Sequence, residues 1–126
     1  MQIKQSAEDY LETILMLKEK KANVRSIDIA GELNFSKPSV SIAMKKLEEN
    51  GYITRDDLGY INLTEKGIEI ASKVYEKHKF IAVFLQYIGV DEKIAKIDAC
   101  KVEHILSEES FEKLKEYYYR VKKEEE

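Results

Sequence analysis

Between Val24 and Thr64 the hydrophobic pattern passes from helical to alternating within one short stretch, and few folds accept that order. Ser26 is placed to cap a short helix, Ile27 to Leu33, in which Ile27, Ala30 and Leu33 fall at inward spacing. Asn34-Phe35-Ser36 makes a tight connection, and Ser36 stands as the N-cap of a second helix that begins near Lys37. Pro38 falls in its first turn, where a missing N–H costs nothing. Val40, Ala43, Met44 and Leu47 give this helix a buried stripe, and Gly51 stops it. Tyr52 to Arg55 and Tyr60 to Thr64 then read as short strands around the polar turn Asp56-Asp57-Leu58-Gly59. A helix-turn-helix followed directly by a hairpin is a winged helix.

What this pattern leaves exposed is chemically specific. Lys37, Ser39 and Ser41 lie at the start of the second helix, with Lys45 and Lys46 a turn later. Small hydroxyls and lysines there suit a reader of the DNA major groove, because the first helical residues face base edges while flanking cations meet phosphates. Ser39 and Ser41 are expected near bases, and Lys37, Lys45, Lys46 and Arg55 on phosphates. Arg25, Ser36 and Pro38 complete the candidate set. The alternative is a helix pair used for protein interaction; the adjoining hairpin favours DNA. The acidic pair Asp56-Asp57 argues against a wing tip that enters the minor groove. The net charge of −3 gives no bulk attraction to nucleic acid, so any attraction must be a local patch.

Around this segment the chain reads as helical. Ser6 to Lys20 forms a first helix with Ala7, Leu11, Ile14 and Leu15 as its core face, and Asp9 and Glu12 three residues apart on a neighbouring edge. Thr64 caps a long helix to about Tyr87, striped by Ile68, Ala71, Val74, Ile81 and Leu85, with His78 on the same stripe. Asp91 caps a helix from Glu92 to Leu106, and Ser107 a last one in which Phe111, Leu114, Tyr118 and Val121 make an apolar edge. The expected architecture is mainly α with a small β-hairpin: an N-terminal winged helix-turn-helix over 1–70, then a helical dimerisation and metal-binding domain over 71–126.

The fifth helix carries Cys100, Glu103 and His104 at i, i+3, i+4, which places a thiol, a carboxylate and an imidazole on one edge. They include the single cysteine of the chain and one of its two histidines. Three donors make half a site. Asp9, Glu12 and His78 are the available remainder, although taken singly the carboxylates also fit a solvated face and His78 a satisfied core position. Six mixed O, N and S donors exceed one tetrahedral ion and match poorly a closed structural zinc site of four Cys or His. They suit a five- or six-coordinate transition ion, or two ions sharing carboxylates.

Taken in order, Glu8-Asp9-Tyr10-Leu11-Glu12-Thr13-Ile14, Ser36-Lys37-Pro38-Ser39-Val40-Ser41, Leu63-Thr64-Glu65-Lys66-Gly67, Gly89-Val90-Asp91 and Ala99-Cys100-Lys101-Val102-Glu103-His104 resemble the diphtheria toxin repressor family of metal-dependent transcriptional regulators, in its short manganese transport regulator form. The resemblance spans essentially the whole chain. It implies a homodimer that binds a palindromic DNA operator when intracellular Mn(II) or Fe(II) is bound, repressing metal-ion homeostasis genes. By position Asp9, Glu12, His78, Glu103 and His104 match the manganese-type ligands. Cys100 stands where those members have glutamate and the iron-type members cysteine, whereas iron-type members usually carry methionine at the place of Asp9. The iron-type ancillary site would want a carboxylate near Ala82 and a histidine near Lys96, which this chain lacks. It is a hybrid, and either Mn(II) or Fe(II) is expected. Ile42 stands where iron-type members often carry a DNA-facing glutamine.

A second reading, from a different class, is a redox-responsive winged-helix regulator in which Cys100, beside His104, is the sensor thiol. An enzyme is not expected, since nothing supplies an oxyanion hole or a pocket for a small organic substrate. No apolar run approaches the roughly 20 residues that cross a bilayer, and no signal-peptide core follows Met1, so a cytoplasmic protein without membrane contact is expected. A dimer is expected through the C-terminal half, where Phe80, Val83, Phe84 and Tyr87 add apolar surface beside the core stripe.

Overall fold

The structure is a computed structural model that describes residues 5–125. Among these the order is α1 (Gln5–Lys20), α2 (Ser26–Leu33), α3 (Lys37–Glu49), β1 (Ile53–Arg55), β2 (Ile61–Leu63), α4 (Glu65–Tyr87), α5 (Glu92–Val102) and α6 (Glu108–Glu125). The chain divides into two compact units with the boundary inside α4, between Lys73 and Val74.

The first unit is the winged helix. Its core takes Leu11, Ile14 and Leu17 from α1, Ile29 and Ala30 from α2, Val40, Met44 and Leu47 from α3, Ile53 and Ile61 from the strands, and Ala71 from α4. Two details of α2 differ from the sequence expectation. The helix begins at Ser26 with Arg25 as N-cap, because the Asp28 carboxylate reaches back to accept the Arg25 backbone N–H at 2.8 Å. Ile27 is 56% exposed, and Ile29 and Ala30 take the buried positions. Gln5, the first described residue, is already helical, so Ser6 lies inside α1.

Asn34 ends α2 in the left-handed region (φ 58°), the turn that lets α3 start three residues later. Ser36 caps α3 by accepting the Ser39 N–H at 3.3 Å, with Pro38 in the first turn as expected. The strands pair antiparallel with Ile53 opposite Leu63 and Arg55 opposite Ile61. Asp56 builds the turn between them: its carboxylate accepts the N–H groups of Leu58 and Tyr60, both at 2.9 Å. Thr64 then joins strand to helix, its hydroxyl donating to the Gly51 carbonyl at 2.6 Å and accepting the Gly67 N–H at 3.2 Å. Gly67 has a steric reason, since a Cβ there would sit 2.1 Å from the Tyr52 carbonyl oxygen.

The second unit comprises the C-terminal part of α4 with α5 and α6. Phe80, Ile81, Ala82, Ala99 and Phe111 are its buried centre, joined by Phe84, Leu85, Leu114 and Tyr118. Phe80 meets Phe111 and Tyr118 edge-on, at 5.6 Å between ring centroids in each case. Phe80 is therefore spent inside the unit. Of the apolar residues expected to serve dimerisation, Val83 and Tyr87 remain exposed, together with Ile88, Ile94, Ile97 and Ile105. No helix among the described residues is long and apolar enough to cross a membrane.

Candidate metal centre and nucleic-acid interface

At the N-terminal end of α3, Ser36, Lys37, Pro38, Ser39 and Ser41 are all exposed, as are Lys45 and Lys46. The Ser36 hydroxyl donates to the Ser39 hydroxyl at 2.8 Å, so one candidate base-facing group is held in place by the cap. Ile42 adds an apolar surface, 60% exposed, between Ser39 and Lys45 on the same face.

The two arginines of the candidate set differ. Arg55 is committed within the fold: its Nη2 donates to Glu48 Oε1 at 2.8 Å and its Nε to the same oxygen at 3.3 Å. The guanidinium holds the Glu48 carboxyl below its ordinary range, and the pair is close to neutral where it stands. Arg25 is exposed, with its Cζ 4.7 Å from the centroid of the Tyr60 ring. Sequence reading missed both partners, because Glu48 and Tyr60 reach the arginines only after the hairpin folds back.

The second unit gathers three of the expected metal ligands. His78 Nδ1 on α4 lies 3.0 Å from Glu103 Oε2, and His104 Nε2 lies 3.2 Å from Glu103 Oε1. The side chains of Glu103 and His104 are essentially buried, and that of His78 is partly exposed, at 19%. Two imidazoles therefore converge on the two oxygens of one buried carboxylate. His78 Nδ1 and both Glu103 oxygens are close enough for hydrogen bonds but not aligned for them. A cation with octahedral bonds of about 2.1 Å sets neighbouring donors about 3.0 Å apart, so each imidazole–carboxylate pair taken by itself has the spacing and donor types of a first-row divalent ion, while among the described residues no group of three donors within 4.8 Å of one another includes His104.

α5 ends at Val102, short of the expected Leu106, and this shapes the cluster. The Glu103 N–H still donates to the Ala99 carbonyl at 3.0 Å, which continues the helical path by one residue. After it the N–H groups of Ile105 and Leu106 both turn to the Val102 carbonyl, each at 3.0 Å. The chain must leave the helix because Ser107 caps α6, accepting the Ser110 N–H at 3.1 Å. His104 is thus presented by a turn and not by a helix face. Cys100, one turn before Glu103 on α5, is exposed.

Asp9 and Glu12 lie on α1 in the first unit. Glu12 is buried and Asp9 half-buried, so α1 turns more than its apolar stripe away from water. The Asp9 carbonyl accepts the Thr13 hydroxyl at 2.7 Å. A solvated face is therefore the wrong description of Glu12: a carboxylate is costly to bury without compensation.

Comparisons with known proteins match the chain in two parts that divide between residues 57 and 64, ahead of the boundary between the two units. The N-terminal DNA-binding domain of the iron-dependent repressors matches residues 2–57, and the metal-binding and dimerisation domain of iron-dependent repressors matches residues 64–125. An uncharacterised HTH-type transcriptional regulator of Methanocaldococcus jannaschii is 44% identical over 120 residues, 94% of this chain and 96% of that protein. The HTH-type transcriptional regulator MntR of Bacillus subtilis is 36% identical over 109 residues, 86% of this chain and 77% of its own. The solved structure of the manganese regulator SloR matches with a TM-score of 0.79 at 32% identity, over 90% of this chain and 53% of that one, so the chain spans about half the length of that regulator. A helix-turn-helix with exposed hydroxyls and lysines, two imidazoles against the buried Glu103 carboxylate, and both domain matches in sequence order make this chain a member of the iron-dependent repressor family of metal-dependent, DNA-binding transcriptional regulators.

Proposed function

We propose that this chain is a cytoplasmic homodimeric repressor of metal-ion homeostasis genes, which binds a palindromic operator when Mn(II) or Fe(II) is held by Asp9, Glu12, His78, Cys100, Glu103 and His104. The observation that carries it is the convergence of His78 and His104 on the buried Glu103 carboxylate, at 3.0 and 3.2 Å. Residues 1–70 form the DNA-binding part and 71–126 the dimerisation and metal-binding part. When bound, the ion supplies positive charge that offsets the carboxylates of Asp9, Glu12 and Glu103. Asp9 and Glu12 precede the helix-turn-helix, and the other four ligands follow the hairpin. Ligands drawn from both ends of the chain restrain how the reading helix of each subunit is presented to DNA.

On DNA, Ser39 and Ser41 face bases, while Lys37, Lys45 and Lys46 meet phosphates, with Arg25, Ser36 and Pro38 at the edge of the contact. Arg55 reaches a phosphate only in exchange for Glu48. The exposed thiol of Cys100 adds a soft donor. The redox reading gains no support, because the matched family and relatives are described by iron and manganese.

The test is metal-dependent DNA binding by the His104→Ala protein under anaerobic conditions, with Mn(II) and Fe(II) supplied in turn. Metal should tighten binding of the parent by about 5- to 150-fold, the range usual for allosteric coupling, and leave the variant unchanged. A variant that responds to metal like the parent would show the cluster to be structural.

A further inference from the structure

We infer that Tyr60 is a positioning residue: its ring holds the Arg25 guanidinium as a phosphate clamp, through which the turn of the wing sets a DNA contact at the start of the helix-turn-helix. The inference rests on the DNA-binding reading above and assigns a role to a residue outside it.

Three observations converge on this pair. Arg25 Cζ lies 4.7 Å from the centroid of the Tyr60 ring, within the range in which a guanidinium is attracted to an aromatic face. The backbone fixes both partners, since the Ile61 N–H donates to the Val24 carbonyl at 2.7 Å and so joins the residue after Tyr60 to the residue before Arg25. Tyr60 is in turn set by the wing: its N–H donates to the Asp56 carboxylate at 2.9 Å and its carbonyl accepts the Asp56 N–H at 3.1 Å. The acidic residue of the wing that looked unfavourable for DNA thus orients the ring beneath a cation.

The charge of Arg25 is only partly offset, by the nearby Asp28 carboxylate, which also lines the concavity described below. Asp28, the acid nearest in sequence, accepts Lys21 Nζ at 2.8 Å and the Arg25 backbone N–H at 2.8 Å, and the guanidinium forms no ion pair among the described residues. Lys21 and Arg55 are each neutralised by a carboxylate at 2.8 Å. Arg25 and Tyr60 border an open concavity of about 550 Å³ that Lys21, Asn23 and Ile27 also line. A ring-stacked guanidinium keeps its outer N–H groups free for phosphate oxygens and loses less freedom on binding than a solvated one.

The test uses the full chain loaded with Mn(II), a short DNA duplex of arbitrary sequence, and fluorescence anisotropy over a salt series. Arg25→Ala should reduce the salt slope by about one for each subunit on the duplex. Tyr60→Leu should weaken binding about two- to fivefold, Tyr60→Phe should bind like the parent, and Tyr60→Leu should add nothing in the Arg25→Ala background. Arg25→Lys, which leaves the ring in place and keeps the charge, should fall between parent and Arg25→Ala, and it decides the matter if Tyr60→Leu fails to fold. An unchanged salt slope in Arg25→Ala, equal losses for Tyr60→Phe and Tyr60→Leu, or parent-like binding by Arg25→Lys would each overturn the clamp. Failure of the parent itself to bind DNA with Mn(II) would overturn the DNA-binding reading instead.

Discussion

The two units bury opposite things. The first closes over aliphatic side chains from each of its helices and both strands, sends the lysines and hydroxyls of α3 outward, and buries few polar groups, Glu12 and Thr13 of α1 among them. The second buries a carboxylate between two imidazoles and leaves Ile88, Ile94, Ile97 and Ile105 in water, the last 79% exposed. By the measure of stability alone the second arrangement is poor, since buried charge is costly and exposed apolar surface contributes nothing. Under the function proposed above, a unit built this way is completed from outside: by a cation at the cluster, and by a second copy of the chain, as suits a family whose matching domain is one of metal binding and dimerisation. The first unit has a complete apolar core from its own sequence, with the buried Glu12 carboxylate as its exception.

The largest effect that separates the two concerns the aliphatic core. Ile14 is fully buried in the first unit, and Ile14→Ala should destabilise by about 2–5 kcal/mol, through lost burial plus the cavity left behind. Thermal unfolding followed by circular dichroism, with and without Mn(II), should show the loss in both conditions. If Ile14→Ala costs less than about 1 kcal/mol in metal-free protein, the first unit is not self-sufficient and the contrast collapses.

A slightly smaller effect probes the other side. Mn(II) at 100 times its dissociation constant should add about 2.7 kcal/mol to the parent by mass action, and Glu103→Gln should lose nearly all of it. The same variant, measured without metal, should be no less stable than the parent, because it removes a buried carboxylate and keeps the shape of the side chain. A Glu103→Gln protein that is several kcal/mol less stable without metal would make the cluster a structural ion pair.

How far the sequence could be read divides along the same line. In the first unit the signals are local: Ser36 with Pro38 starts α3, Asn34 turns the chain, Gly67 follows Thr64 by three residues, and the strands alternate. Each depends on neighbours a few residues away, so spacing is enough. The misses there needed tertiary knowledge, as when Glu48 captures Arg55 or Tyr60 comes beneath Arg25. In the second unit the ligand types were visible at Cys100, Glu103 and His104, but the helix was drawn too long. The capping of α6 by Ser107, itself legible in the sequence, ends α5 at Val102, because the chain needs the residues between to leave one helix axis for the next. Ile27 was misplaced for a similar reason: an eight-residue helix offers two equally plausible inward faces, and only packing chooses between them.

The smallest predicted effect tests whether polar groups of the first unit stabilise it only at its edges. Asp28 accepts Lys21 Nζ and the Arg25 backbone N–H, and these bonds, the lysine's first, hold its carboxyl below the ordinary value of 3.8. A carboxyl whose folded-state value is depressed contributes stability that is fully present above its unfolded value. That contribution is lost as pH falls through the lower, folded value. At neutral pH Asp28→Ala should therefore cost about 1 kcal/mol, the usual worth of a helix-capping interaction, and far less than Ile14→Ala. Between pH 7 and pH 5 the difference between parent and variant should stay constant, and below 3.8 it should shrink until the two unfold together. Because the partially exposed Lys21 pair is screened by salt while the bond to the Arg25 N–H is not, added salt should remove only part of it. A gap between parent and Asp28→Ala that widens in acid would reverse the sign and show that the carboxyl is stabilised in its protonated form.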